Sequence, residues 1–204
     1  MQIMIRADET KAGKKVVAIA TSTGGPKALQ MLIPQLPANL NAPVLIVQHM
    51  PAGFTEALAG RLNTLSPLSV KEAAEGDVLQ PGWVYLARGG RHMNVERSGG
   101  RHVIHYTDVP PREGVRPCAN YMYESLADCS YDEVVCAVLT GMGADGTAGI
   151  KNLKEKKKVV VFAQNEESCA VYGMPRSIVA AGLVGKGITL DQIAQEIIKN
   201  VGVT

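Results

Sequence analysis

The chain lacks the features that mark membrane, secreted or nucleic-acid-binding proteins. No apolar run in its 204 residues approaches the roughly 18 residues of a membrane span, and no signal-peptide pattern is present. Acidic and basic residues nearly balance, and the formal net charge of +2 gives no electrostatic footprint for nucleic acid or an anionic membrane. We therefore expect a protein of the cytoplasm that neither binds nucleic acid nor inserts into a membrane.

Cysteine is scarce, and its spacing is wrong for a disulfide framework or a zinc site. The chain has four cysteines, none of them in a Cys-x-x-Cys pair: Cys118, Cys129, Cys136 and Cys169. This pattern favours reduced thiols. Three histidines could be considered as metal ligands (His92, His102 and His105), but the last two are more simply residues of a polar hairpin. We expect no metal and no organic cofactor.

What the chain does contain is enough apolar sequence for one sizeable core. Hydrophobic residues make up 46% of the composition, and no internal repeat or low-complexity segment interrupts it. Residues 1–14 show no sustained period and end in glycine and lysine. We predict that residues 1–14 are a leader or linker remnant and that residues 15–204 form a single domain.

The segment from Lys14 to Leu36 is the most informative local pattern. Its apolar, β-branched run Val16–Ala20 predicts a buried strand, and a turn of small residues follows it. Pro26 suits the first position of a helix, where a missing N–H costs nothing. Apolar residues then recur with helical spacing, at Leu29, Leu32, Ile33 and Leu36. Ser22 therefore lies where a strand passes into a helix.

Further strand and helix patterns alternate along the chain. Buried strands are predicted over residues 43–49, 133–140 and 158–164, with a last short strand over 184–188. A helix after the second strand should carry one apolar face, formed by Phe54, Leu58, Leu62 and Leu65. Thr189 and Gln192 form a capping box for the final helix.

The middle of the chain departs from this alternation. Two polar strand patterns flank Ser98-Gly99-Gly100, which by turn chemistry is a hairpin, and a short strand over residues 83–87 precedes them. We therefore predict an α/β fold with a doubly wound, mainly parallel, Rossmann-like sheet and an antiparallel β-hairpin excursion.

Ser22 at the first strand-to-helix turn has three interpretations: a nucleophile, a phosphate-binding group or a helix cap. Taken alone, capping or phosphate binding is favoured. The turn has no GxxxxGK[ST] or GxGxxG motif, and Ala20 replaces the first glycine of a G-x-S-x-G nucleophile elbow. The serine needs partners elsewhere before catalysis is indicated.

Such partners follow two other predicted strands. His49 and Asp145 each lie at or just after a strand's carboxyl end, as Ser22 does. In open α/β sheets these ends face one crevice. Imidazole can take the proton of a weak serine nucleophile, and a carboxylate can orient the ring. Alone, His49 could be a hydrogen-bonded core residue and Asp145 a helix cap; together the three predict a Ser-His-Asp triad.

Five motifs, in order, resemble those of the chemotaxis protein-glutamate methylesterases in their catalytic domain: ATSTGGP, VLIVQHMPAGFT, ARGGRHM, LTGMGADGTAG and AQNEESCAVYGMPR. The resemblance covers nearly the whole chain from Lys15 onward. It implies that Ser22, His49 and Asp145 are the catalytic triad. It also implies that N–H groups near Thr23 and around Met142 hold the oxyanion.

The resemblance further implies a substrate and partners. Enzymes of this family hydrolyse glutamate methyl esters on the cytosolic helices of chemoreceptors and deamidate particular receptor glutamines. An N-terminal receiver domain is usual in them, and residues 1–14 look like a linker left after its removal, or like the start of a natural short form. Relatives often have serine and aspartate where this chain has Cys118 and Asn120. We expect this departure to alter contacts of that loop without touching the triad.

Two other classes of function remain open on the sequence. A nucleotide- or phosphate-ligand-binding α/β domain would use the same glycine-rich turn, although it lacks the phosphate motifs. A non-catalytic receptor-docking module would keep the receptor surface but would not need the three polar residues at the strand ends.

Overall fold

A computed structural model describes residues 14–204, and their chain alternates strands and helices along its length. The strands are β1 (Lys15–Thr21), β2 (Val44–Gln48), β3 (Ser69–Glu72), β4 (Trp83–Leu86), β5 (His92–Ser98), β6 (Arg101–Thr107), β7 (Glu133–Val138) and β8 (Lys158–Ala163). The helices are α1 (Gly25–Leu32), α2 (Phe54–Leu65), α3 (Ala119–Ser125), α4 (Thr147–Lys154), α5 (Met174–Ala180) and α6 (Leu190–Val201).

Six strands form one parallel sheet in the order β3-β4-β2-β1-β7-β8. The chain leaves β1 in one direction, through β2 to the β3–β4 edge, and then returns to the other side of β1 with β7 and β8. The strand order therefore reverses between β1 and β7. Ligands of open α/β sheets bind outside the carboxyl ends of the strands at such a switch point.

Both faces of the sheet are buried. Successive residues of a strand point to opposite sides, so each central strand contributes to two cores. In β1, Ala18 and Ala20 belong to one core, and Val17 and Ile19 belong to the other. The first core is completed by apolar side chains of α3, α4, α5 and the hairpin, and the second by those of α1, α2 and α6. This double burial explains why the central strands are continuous apolar runs.

Strands β5 and β6 pair antiparallel and form a separate two-stranded sheet around the Ser98–Arg101 turn. Met93, Val95, Ile104 and Tyr106 pack into the same core as α3. The predicted fold, a doubly wound parallel sheet with an antiparallel hairpin, is confirmed. The capping box at Thr189 and Gln192 is also present, at the start of α6.

Three local predictions were wrong. Residues 184–188 do not form a strand; only a single bridge joins Ile188 to Gln164, because Gly185 and Gly187 weaken so short a segment. Strand β3 was missed, since two of its four residues are charged, as is common at a sheet edge. In α2, Leu58 is buried, but the terminal residues Phe54 and Leu65 are exposed.

The predicted leader over residues 1–14 lies, apart from Lys14, outside the described residues, and the domain boundary stays a prediction. None of the helices within residues 14–204 has the length and hydropathy needed to cross a membrane.

Candidate active site

The candidate site lies at the carboxyl edge of the parallel sheet, where β1, β2 and β7 end side by side. The last paired residues of β1 and β2 are Thr21 and Gln48, so Ser22 and His49 are the next residues on two adjacent strands. The His49 N–H donates to the Thr21 carbonyl at 3.1 Å, which continues the ladder to the point where the strands end. The fold itself therefore brings these two residues together.

Asp145 reaches the same edge from the loop after β7. Its Oδ2 accepts a hydrogen bond of 2.7 Å from His49 Nε2, and the side chains are only 3% and 11% exposed, respectively. A carboxylate can only accept here, so the proton of a neutral His49 lies on Nε2 and the lone pair lies on Nδ1. The predicted proximity of His49 and Asp145 is thus a direct contact in the structure.

The Asp145 carboxylate is held from three further directions. Its Oδ2 also accepts from the Ala119 N–H at 2.6 Å, and its Oδ1 accepts from the Asn120 N–H at 2.9 Å and from the Cys118 thiol at 3.0 Å. Burial alone would raise the pKa of Asp145. The hydrogen bonds from His49 and from residues 118–120 have the larger effect, and the net result is a pKa below the usual value. Asp145 is therefore an anion that can face an imidazolium.

Ser22 is fixed through its backbone, and within residues 14–204 its hydroxyl group has no hydrogen-bond partner. Its N–H donates to the Thr140 carbonyl at 2.9 Å, and its carbonyl accepts from the Gly25 N–H at 2.8 Å. Within residues 14–204, no hydrogen bond joins Ser22 Oγ to His49. Catalytic hydrogen bonds often tighten only when substrate binds.

Two N–H groups next to Ser22 are available to an oxyanion. In the described part of the chain, neither the Thr23 N–H nor the Met142 N–H donates to a protein acceptor. Gly141, which precedes Met142, packs so closely that a Cβ there would lie 2.8 Å from Ser22 Cβ. A cavity of about 550 Å³ adjoins Met142 and is also lined by Tyr172 and Arg176. The edge thus has free N–H donors, and the cavity lies between Met142 and the start of α5.

The sequence model of the CheB methylesterase family matches residues 17–197. The chain belongs to this family. It is 46% identical over 187 residues to a protein-glutamate methylesterase/protein-glutamine glutaminase of Geobacillus kaustophilus, a match that covers 92% of this chain and 54% of that protein. The protein of the same name from Bacillus subtilis is also 46% identical, over 91% of this chain and 52% of its own length.

A solved structure of the family has the same fold. The crystal structure of the Thermotoga maritima CheB methylesterase catalytic domain is 37% identical in sequence, with a TM-score of 0.88, and the match covers 92% of this chain and 99% of that one. The chain spans about half the length of the curated relatives it matches.

One of the two residues that depart from the family's usual loop sequence, Cys118, contacts the candidate triad with its side chain, contrary to expectation, whereas the Asn120 contact comes from the backbone. Cys118 and Asn120 both contact Asp145, the first with its thiol and the second with its N–H. The Asn120 side chain also accepts from the Gly146 and Gly149 N–H groups, at 2.9 and 2.7 Å. The loop after the hairpin is therefore part of the support of Asp145 in this CheB-family chain.

Two further polar residues at this edge were not identified from the sequence. Thr140 accepts from Ser22 N–H with its carbonyl and donates from Oγ1 to the Thr23 carbonyl at 2.9 Å. Gln48 contacts the backbone of both Ser22 and His49. Gln48 is the last residue of the apolar strand β2, and Thr140 follows the apolar strand β7 by two residues; these positions were the one available signal.

Proposed function

We propose that this chain is the catalytic domain of a serine hydrolase that removes methyl esters from glutamate side chains of chemotaxis receptors and deamidates receptor glutamines. The observation that carries the proposal is the buried His49–Asp145 pair beside Ser22 at the carboxyl edge of the sheet. Membership of the CheB methylesterase family supports the substrate class.

The first step is acyl transfer to Ser22. Ser22 Oγ attacks the ester carbonyl carbon while His49 Nδ1, the nitrogen not bonded to Asp145, takes the hydroxyl proton. The negative charge that develops on the carbonyl oxygen is held by the N–H groups of Thr23 and Met142. Asp145 stabilises the imidazolium and keeps the ring in place.

The second step returns the enzyme to its starting state. The carbon–methoxy bond breaks, the His49 proton goes to the leaving oxygen, and methanol departs from the acyl-serine. A water molecule then attacks the acyl carbon and gives a proton to His49. The bond between the acyl carbon and Ser22 Oγ breaks, His49 returns the proton to Ser22 Oγ, and the glutamate product departs. A glutamine side chain follows the same path with ammonia as the leaving group. Both steps draw only on this chain's groups and water.

The partners follow from the same proposal. The substrates are the cytosolic helices of methyl-accepting chemotaxis receptors, and the enzyme acts in the cytoplasm. A receiver domain N-terminal to this domain completes the protein, which agrees with the chain spanning about half of its relatives' length. The receiver would regulate access of the receptor to the carboxyl edge.

The test is methanol release from methylated receptor and ammonia release from the unmodified receptor, with wild type beside Ser22→Ala. We expect Ser22→Ala to lower both rates by at least about a thousandfold, because loss of one member of a catalytic triad removes most of its acceleration. His49→Ala should have a similar effect, and the double variant should be little slower than either single one.

The matched control is Ser98→Ala, which removes a hydroxyl group from the exposed hairpin turn and should leave both rates unchanged. Turnover of Ser22→Ala close to that of wild type would exclude Ser22 as the nucleophile. Loss of methanol release with retained ammonia release would exclude a shared mechanism for the two reactions.

A further inference from the structure

The Gln48 side chain joins the two strand ends that carry the proposed nucleophile and base. Its Nε2 donates at 2.9 Å to the Ser22 carbonyl and at 3.2 Å to the His49 carbonyl. Both hydrogens of the amide nitrogen are therefore used, one on each strand. Gln48 is only 2% exposed, so these bonds are shielded from competition with water.

The chemistry of its neighbours fixes the orientation of this amide. Ser22 and His49 each present a carbonyl oxygen, which can only accept, so the amide nitrogen and not the amide oxygen must face them. A carboxylate at this position would place negative charge against two carbonyl dipoles. The site therefore specifies glutamine rather than its isosteric acid.

The start of α1 is shaped to admit the amide. A Cβ at Gly25 would lie 1.9 Å from Gln48 Oε1, a distance that no real contact allows. The Gly25 N–H also donates to the Ser22 carbonyl, the same oxygen that Gln48 contacts. The strand-to-helix turn of Ser22 is thus built around the Gln48 side chain.

We propose that Gln48 is a positioning residue that sets the spacing between Ser22 and His49 by holding their carbonyls with one amide nitrogen. The inference rests on the proposed function, in which Ser22 is the nucleophile and His49 the base. Backbone ladder bonds fix the strands only as far as the His49 N–H to Thr21 carbonyl contact. Beyond that point, the Gln48 amide is the link between the two residues that react.

The experiment measures the reactivity of Ser22 without a receptor. Wild type, Ser22→Ala and Gln48→Met are treated with a fluorophosphonate reagent, and the maximal labelling rate and half-saturating concentration are determined over a range of pH. Methionine keeps the length of glutamine but has no donor. We expect Gln48→Met to lower the maximal rate by about 10- to 100-fold, since misplacement by around 1 Å has costs of this order. The half-saturating concentration should change little.

The matched control is Gln164→Met, since Gln164 is also fully buried at a strand end. Its amide bonds go to the Thr140 N–H and to Ser168, so Gln164 reaches Ser22 only indirectly, through Thr140, whereas Gln48 bonds to Ser22 and His49 directly. We expect both methionine variants to lose thermal stability but only Gln48→Met to lose most of its labelling rate. Equal rate losses in the two variants, or a normal rate in Gln48→Met, would overturn the positioning role while the Ser22 proposal stands. Labelling of Ser22→Ala at the wild-type rate would overturn both.

A second variant crowds the oxygen of the Gln48 amide instead of removing its nitrogen. Gly25→Ala keeps Gln48 but drives a methyl group into the space of its Oε1, and to 2.5 Å from Thr21 Oγ1. Gly25 does not have a positive φ, so alanine brings no backbone strain of its own. We expect Gly25→Ala to lower the maximal labelling rate as Gln48→Met does, which keeps the proposal testable if that variant fails to fold. A normal rate in Gly25→Ala with a displaced amide would overturn it.

Discussion

Asp145 shows how a buried carboxylate at this edge is kept ionised. Burial alone would favour the neutral acid, but the carboxylate accepts four hydrogen bonds, and the pKa falls below its usual value. Two of the four donors are backbone N–H groups at the start of α3. A third, the Cys118 thiol, is a side chain and can be removed without moving the backbone.

We therefore predict that Cys118→Ala raises the pKa of Asp145 and lowers stability near pH 7 by about 1 kcal/mol. A carboxyl group whose pKa is lower in the folded than in the unfolded state stabilises the fold at pH values above its unfolded-state pKa. This contribution is lost as the pH falls through the folded-state pKa. The pH-dependent part of the difference in unfolding free energy between wild type and Cys118→Ala should therefore vanish in strong acid. Urea unfolding at several pH values measures it.

Cys118→Ser is the control, because a hydroxyl group can also donate to Asp145. It should regain most of the pH-dependent stability that Cys118→Ala loses. A stability difference between wild type and Cys118→Ala that is the same at every pH would mean that only packing, and not the hydrogen bond, is involved. Since burial raises the pKa of the Cys118 thiol to about 12, the thiol stays protonated across this range.

At the residue scale, the sequence was sufficient to place Ser22, His49 and Asp145 at strand ends, because buried parallel strands are distinctive apolar runs and their carboxyl ends share one edge. It was not sufficient to find the supports of these residues. Cys118 contacts Asp145 and Gln48 contacts Ser22, in each case a residue distant along the chain, and no periodicity marks such contacts. These supports are visible only in the three-dimensional structure.

At the scale of elements, the long and strongly patterned segments were predicted and the short ones were not. The central strand β1 and helix α6 lie close to their predicted positions. Strand β3 has only four residues, two of them charged, and its pairing comes from the neighbouring strand β4 rather than from its own pattern. Tertiary context decides such segments.

The capping box at the start of helix α6 can be tested directly. The Thr189 hydroxyl accepts from the Gln192 N–H at 3.3 Å, and the Gln192 side chain accepts from the Thr189 N–H at 2.9 Å. We predict that Thr189→Ala costs about 1 kcal/mol and lowers Tm by about 2–4 °C in a domain of this size. Calorimetry measures the change.

Thr189→Ser keeps the capping hydroxyl group and serves as the control, with a Tm close to that of wild type. An unchanged Tm for Thr189→Ala would show that the α6 amino terminus is satisfied without its cap. Equal losses in the alanine and serine variants would assign the effect to the methyl group of threonine instead.

At the scale of the whole molecule, the carboxyl edge is apolar as well as polar. The Met142 side chain is 72% exposed next to the proposed oxyanion N–H groups, and Phe54, at the start of α2, is 61% exposed. Helix α2 follows the loop that begins at His49, so its amino terminus lies at the site's edge and its carboxyl terminus at the opposite edge. A receptor helix presenting its ester to Ser22 would cover this side of the domain.

We predict that Phe54→Ser raises KM for methylated receptor by about tenfold, because burial of a phenylalanine side chain contributes on the order of 1.5 kcal/mol or more. The maximal turnover, and the labelling of Ser22 by a small fluorophosphonate, should stay close to wild type, since neither depends on contacts remote from the serine. Methanol release over a range of receptor concentrations measures the change.

Leu65→Ser is the matched control. Leu65 is also an exposed apolar residue of α2, 38% accessible, but it lies at the helix terminus far from the site. If the receptor covers the carboxyl edge, only Phe54→Ser should raise KM. Equal KM values for the two variants would place the receptor elsewhere on the domain. A lower labelling rate in Phe54→Ser would mean that the substitution disturbs the segment around His49 rather than the docking of the receptor.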